Sequence, residues 1–348
     1  MKTPTMVFCA GIILIMMSCE NPMSFRTKVN EDGSLEKAIT FEKGDGELAT
    51  NNAFGISEKN GWSLKKEQLP QEKNSDKKEY RIQFNKNFKS ADEMNNELDI
   101  NSDSLFHIHS TFEKKYRWFY SYIKYSETIR PINRFKLISP TNYFNLEDSA
   151  FIQRLPAEGK SISKADSLYL DLLNEKITDR FATMGMYLEY YQAMEEVVKK
   201  NSLGNQWLDT LRKNKDLIYQ QVTKGGGNGE SDFNFEKVLE QLKISLPKEK
   251  AAKDFATLTK DFNSRLNFMS FARDGKYLNE FEMPWTVIYS NADSVEGNKL
   301  YWKPLVHKFV YMDYEMFAES RKINLWETVI SVVILALTAF VLTRSSKS

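Results

Sequence analysis

The sequence predicts an α+β fold, an antiparallel β domain with an inserted helical block, followed by a single C-terminal transmembrane helix. Three patterns carry this. Apolar residues alternate with period two between Met23 and Tyr125 and again after Gly275. Between about Asn145 and Arg273 the period becomes 3.6. A charge-free apolar run, Thr328 to Thr343, lies close to the last residue. A helical block between two strand regions is most simply an insertion into one domain whose sheet both flanks complete, because the last strands alone are few for a stable unit.

Composition bounds the rest. The 348 residues suffice for one large domain or two ordinary ones, and 41% apolar with 27% charged residues is the balance of a folded body. Lys plus Arg number 48 against 47 Asp plus Glu, and no basic stripe stands out, so a nucleic-acid partner is not expected.

Residues 1–18 read as a lipoprotein signal peptide. Lys2 is the positive start and Met6 to Met17 an apolar run too short to span a bilayer. Met16-Met17-Ser18-Cys19 resembles the bacterial lipobox, in which a small residue precedes the cysteine whose sulfur takes the diacylglyceryl group. Cys19 is therefore the candidate lipidation site; the competing reading is an ordinary secretory leader with a chance cysteine. The other cysteine, Cys9, lies within the leader, so after Cys19 there is no disulfide framework, zinc–thiolate set or thiol nucleophile.

From 19 to 140 the chain reads as the β-rich part. Met23, Phe25 and Val29 alternate with Ser24, Arg26, Lys28 and Asn30; Leu35, Ile39 and Phe41 resume the pattern beyond Asp32-Gly33, a hairpin signal because Gly accepts the positive φ of the turn. Tyr80, Ile82 and Phe84 form a further strand. Lys89 to Leu98 reads as a helix with Ser90 as N-cap and Glu93 completing a capping box. Leu105 to Tyr125 reads as a long strand or bent hairpin, with Phe106, Ile108, Phe112, Tyr116, Trp118, Tyr120 and Tyr122 on one face.

The helical insertion is assigned to 141–275, with helices near Ser163–Asn174, Asn205–Val222, Asn234–Lys243 and Lys248–Phe268 and a stripe of Phe181, Met184, Leu188, Tyr191, Met194 and Val198. C-terminal strands over 276–322 include Trp285, Val287 and Tyr289, then Leu300 and Trp302, then Phe309 to Phe317, with Asp293 to Asn298 as a turn. Residues 323–343 approach the ~20 needed to span the hydrocarbon, with Trp326 suited to the interface, and 344–348, with Arg344 and Lys347, read as a cytoplasmic tail. An exported N-terminus followed by one span leaves that tail inside, which predicts a bacterial inner-membrane protein, lipid-anchored and single-pass, with a periplasmic domain. Two anchors in one membrane would hold that domain flat against the bilayer.

The lipobox, the strand pair around Asp32-Gly33-Ser34, Gly61-Trp62, the helix start Phe88-Lys89-Ser90-Ala91-Asp92-Glu93-Met94 and closing strands leading to one span resemble the LppM-like bacterial lipoproteins, over about 19–130 and 276–348. The resemblance rests on order, and the helical block departs from it. It implies a membrane-tethered α+β domain outside the cytoplasm with no known catalytic set.

No catalytic, cofactor or metal site is expected. His107 and His109 share a strand face at a chelating spacing, yet Glu113, Lys115 and Arg117 on that face mark it as solvated. Gly225–Gly229 lacks the Gly-Lys-Ser/Thr of a phosphate loop and reads as a linker. Trp118, Tyr120 and Tyr191 are candidate linings of an apolar pocket for an acyl chain, although such stripes more often form core. The favoured expectation is a non-catalytic envelope module that docks a membrane or envelope protein through its helical block. The alternative is a domain that takes a lipid or amphiphile from the adjacent bilayer.

Overall fold

The computed structural model describes residues 21–44, 55–70, 79–100, 106–201, 205–223, 233–273 and 275–345; the leader, Cys19 and the 225–229 glycine run lie outside these. Strands β1 (Asn21–Val29) and β2 (Leu35–Gly44) form the hairpin that the alternation predicts. Gly33 turns it at φ +91°, and the Phe112 ring lies 3.0 Å from where a Cβ would stand. Strands β3 (Ser63–Gln68) and β4 (Tyr80–Phe88) follow, then helix α1 (Ala91–Asn95). Ser90 caps α1 by accepting from Glu93 N, while the Glu93 carboxylate reaches back to Lys89 N.

Strands β5 (Ile108–Tyr116) and β6 (Tyr120–Ile129) are the arms of a hairpin that turns at Trp118-Phe119, where Arg117 and Tyr120 exchange both backbone hydrogen bonds. A two-residue loop reverses parity. Even-numbered residues point inward on β5 (Ile108, Ser110) and odd-numbered ones on β6 (Ser121, Ile123, Tyr125, Glu127, Ile129). The uninterrupted alternation that puts Tyr120 and Tyr122 with Phe106 and Ile108 is therefore corrected: those two tyrosines face outward.

The helical block comprises α2 (Leu146–Arg154), α3 (Lys164–Glu175), α4 (Thr183–Asn201), α5 (Gln206–Lys213), α6 (Lys215–Thr223), α7 (Phe235–Gln241) and α8 (Lys248–Arg273). The single helix expected over Asn205–Val222 breaks in two at Asn214. The block has its own core of Met194, Val197, Val198, Leu211, Ile218 and Phe262 among others. Helix α8 leaves that core, sends Phe268 and Ala272 into the β core, and leads into β7 (Gly275–Glu282).

Strands β8 (Thr286–Ser290), β9 (Ser294–Glu296) and β10 (Lys299–Trp302), the short helix α9 (His307–Val310), β11 (Tyr314–Ile323) and α10 (Leu325–Ser345) complete the chain. Two expectations shift here. The turn assigned to Asp293–Asn298 contains β9, and Phe309 belongs to α9 rather than to a strand.

The strands make two sheets, β3-β4-β2-β1-β7-β10-β9 and β5-β6-β11-β8. Every pairing is antiparallel except β1 with β7, which are parallel across the whole insertion. The sheets face each other over one core, in which Tyr125 of one meets Phe281 of the other edge to face at 5.0 Å. Helix α10 has a mean hydropathy of 2.3, buries none of its apolar run, and at 21 residues is about 30 Å long, so it is long and apolar enough to cross a membrane. It begins two residues later than the expected 323, because Ile323 is still paired in β11 with Tyr120.

Candidate functional site at the base of the C-terminal apolar helix

Asn324 joins β11 to α10 and is only 8% exposed. Its carbonyl accepts from Thr328 N at 3.1 Å, opening the helix, and its own N–H donates to Phe119 O at 3.0 Å. Its side-chain amide donates to Arg117 O at 2.7 Å and Trp118 O at 3.3 Å and accepts from Ser121 Oγ at 2.8 Å. A short polar side chain at a helix start is suited to this, since it can bond locally without lengthening the turn. One residue thus ties the helix to the β5–β6 turn.

Two further bonds set the direction of α10. Tyr116 OH donates to Glu327 Oε1 and Trp118 Nε1 to Ser331 Oγ, both at 2.8 Å. Two residues of extended chain advance about 6.7 Å and four residues of helix about 6 Å, so the helix climbs alongside the hairpin in step with β5. Strands β5 and β11 are both antiparallel to β6, so α10 continues the direction of β11. Strand β1 runs the same way. Phe25 stacks on Phe106 at 5.3 Å, Thr27 reaches Glu127, and the β1–β2 turn lies over Phe112 and Lys114.

Cations and aromatic rings ring this end. Lys322 bonds Glu31 at 2.5 Å and stands 4.6 Å over the Trp285 ring, whose Nε1 donates to the same carboxylate. Those two donors hold the Glu31 carboxyl below its usual range. Arg321 lies over Tyr120 at 4.9 Å and Arg117 over Tyr122 at 5.9 Å.

The three pocket candidates do not meet. Trp118 is at the hairpin turn, 51% exposed, and Tyr120 is on the outward face beside Tyr122. Tyr191 is in the helical core, where its hydroxyl donates to Glu195 at 3.2 Å and burial raises its pKa. A separate cleft of about 280 Å³ lies at α7 and the start of α8, lined by Phe235, Leu239, Ile244 and Leu246 and rimmed by Glu240 and Lys243. His107 and His109 both direct Nδ1 at Asp99, to its carbonyl and its carboxylate, at 2.7 and 2.8 Å. Among the described residues no group of three His, Cys, Asp or Glu is placed to hold a metal ion.

A buried polar cluster went unread in the sequence. Lys37 and Glu127, their side chains 0% and 1% exposed, bridge the two sheets with Nζ 2.8 and 2.7 Å from the carboxylate oxygens. Lys37 also donates to Thr27 Oγ1 at 2.9 Å, Tyr125 OH donates to Glu127 at 2.8 Å, and the Thr27 hydroxyl donates to the same carboxylate. Burial lowers the Lys37 pKa against the upward pull of Glu127, and burial beside that carboxylate drives Tyr125 well above 10. The signal was parity: Lys37 falls on the inward register between Leu35 and Ile39.

No family model matches the chain, and no curated protein matches it. Among solved structures, the folded domain of Mycobacterium tuberculosis LppM, determined by NMR, is similar over 87% of this chain and 91% of that one, at 7% identity and a TM-score of 0.28. The likeness to an LppM-like fold is weak. A superposition this loose carries no argument about the site.

Proposed function

We propose that this protein is a non-catalytic, membrane-anchored lipoprotein of the bacterial cell envelope that presents its periplasmic body to an envelope or membrane protein as a docking scaffold. In this reading Cys19 carries the lipid and α10 spans the inner membrane. The observation that carries it is the Asn324 junction. A body meant only to be retained could hang on a loose tether, whereas four polar bonds to one residue set the orientation in which the helical block is offered. Leu168 and Leu172, one turn apart on α3 and 64% and 56% exposed, are the apolar contacts that such a partner would cover.

Photo-crosslinking from positions 168 and 172 in intact cells tests this. A discrete protein adduct is expected. Absence of any adduct, with a stoichiometric lipid retained on the detergent-extracted protein, would sink the scaffold reading and favour the amphiphile-binding one. That alternative has the cleft beside Phe235 and Leu239 in its favour, but 280 Å³ is just under the ~300–1,000 Å³ usual for ligand pockets.

A further inference from the structure

We infer that the β5–β6 hairpin turn is a second membrane contact: Trp118 and Phe119 insert beside α10 into the interfacial layer of the same bilayer and hold the sandwich upright, strands along the bilayer normal. This rests on α10 being a membrane span.

Three independent features point there. Trp118 and Phe119, 51% and 49% exposed, put two large apolar rings at the tip of a hairpin, and they add nothing to the sandwich core. Their depth is fixed by the helix. The indole N–H reaches Ser331, six residues into α10 and about 9 Å beyond Leu325, level with the apolar run Val329 to Val333. A spanning α10 cannot place Ser331 within the bilayer without bringing Trp118 to the same level.

The third feature is the order of chemistry along the axis. Trp118 and Phe119 lie beside the helix, and Trp326 is on its first turn. Arg117, Arg321 and Lys322 stand behind them, with the two guanidiniums laid over Tyr122 and Tyr120. Aromatic rings at the acyl–headgroup boundary, backed by cations at phosphate level, is the arrangement that bilayers select at interfaces. Glu327 is the one carboxylate on the first turn of α10, and Tyr116 OH donates to it. The occupant of this surface is therefore the interfacial layer of a bilayer, and neither a protein nor a soluble ligand.

The full chain in nanodiscs of phosphatidylethanolamine and phosphatidylglycerol, carrying a photoactivatable benzophenone amino acid in place of Phe119, Val332 or Glu67, provides the test. Val332 is on α10. Glu67 is exposed on β3, opposite Arg81, toward the far end of the strands. Lipid adducts read by mass spectrometry are expected at 119 in a yield comparable to 332, with loss of the signal at 67. Adducts at 332 with 119 as empty as 67 would overturn the hairpin contact and leave the span standing. Empty positions at both 332 and 119 would overturn the span and the hairpin contact together.

Discussion

Replacing Glu127 with leucine should be among the most damaging single changes in the β sandwich. Lys37 Nζ has three acceptor contacts, two from the Glu127 carboxylate and one from Thr27 Oγ1, and its side chain is fully buried. Glu127→Leu leaves the ammonium with the hydroxyl alone, and Thr27 and Tyr125 lose the oxygen to which they donate. Removing one partner of a buried pair costs about 3–5 kcal/mol. At about 2–4 °C per kcal/mol that is a fall of roughly 6–20 °C in Tm. The loss should also depend on pH with a defined sign. Burial holds the Lys37 pKa below 10.5, and without Glu127 nothing opposes that direction. Between the folded value and 10.5 the unfolded chain binds the extra proton, so stability rises with pH and the deficit shrinks on the alkaline side. The double change Lys37→Met with Glu127→Leu removes both charges and should recover most of the loss, since well-packed apolar replacements of buried pairs are often neutral or stabilising by about 1–4 kcal/mol. Thermal unfolding of the nanodisc-embedded protein, followed by near-ultraviolet circular dichroism from pH 7 to 10, measures all three. A double variant as unstable as the single one, or a single variant within about 3 °C of the parent, would refute the reasoning.

Asn324→Ala leaves the carbonyl of Arg117 and the hydroxyl of Ser121 without their amide partner, at about 1–3 kcal/mol, so hydrogen exchange should quicken across Arg117–Tyr120 and the first turn of α10 but not in α4; unchanged exchange at the turn would deny the junction its role. His307 is half-buried with Nε2 on Asn174 Oδ1 at 2.9 Å, and desolvation lowers its pKa below 6.5. Below 6.5 the unfolded chain takes up a proton that the folded one resists, so stability falls as pH drops from 6.5 towards the folded value, and His307→Gln should flatten that slope; an unaltered pH profile would count against it. Gly185→Ala in α4 puts a Cβ 2.6 Å from the Phe135 ring, and the ~1–3 kcal/mol of overpacking outweighs the ~1 kcal/mol gain in helix propensity. A lowered Tm is expected, and an equal or higher one would show that Phe135 moves aside without cost.

The parts of the fold that were legible are those where one face repels water and the other does not. Met23, Phe25 and Val29, then Leu35, Ile39 and Phe41, declare β1 and β2 because every inward neighbour is apolar or, as with Thr27 and Lys37, satisfied by a partner that the sequence does not display. That exception is the general limit. Nothing in the sequence marks Lys37 as buried, because its partner Glu127 lies 90 positions away, on the other sheet. The β5–β6 turn was hidden for a local reason: Arg117 to Tyr120 contains no Gly, Asn, Asp or Pro, so the alternation reads straight through it and the parity of Tyr120 and Tyr122 inverts. The pairing of β1 with β7 lies between segments more than 240 residues apart, and neither carries a mark of the other. Asn324 reads in the sequence only as a polar residue before an apolar run. Its importance comes from the carbonyls that the hairpin brings to it.

The arrangement of strands bears directly on how two anchors could share the body. A domain lying flat requires both attachment points on one side. Strands β1, β5 and β11 instead run together toward α10, and eight steps along β1 plus six from Phe112 to Trp118 put Asn21 roughly 45 Å from the hairpin turn. Cys19 is two residues before Asn21, a leash of at most about 7 Å. With the strands along the bilayer normal, acyl chains on Cys19 cannot enter the leaflet that holds Trp118 unless β1 unzips, and each of Met23, Phe25 and Val29 withdrawn from the core costs about 1.5–3 kcal/mol. With the strands in the bilayer plane the lipid reaches, but α10 must bend away from β11 at Asn324, breaking the bonds to Arg117 and Trp118, and Trp118 leaves Ser331. Lipid insertion beside the helix and insertion of the hairpin are therefore mutually exclusive in one leaflet. An upright body would direct any lipid carried by Cys19 to a surface other than the one that a spanning α10 crosses, and the adduct yield at position 119 distinguishes that posture from the flat one.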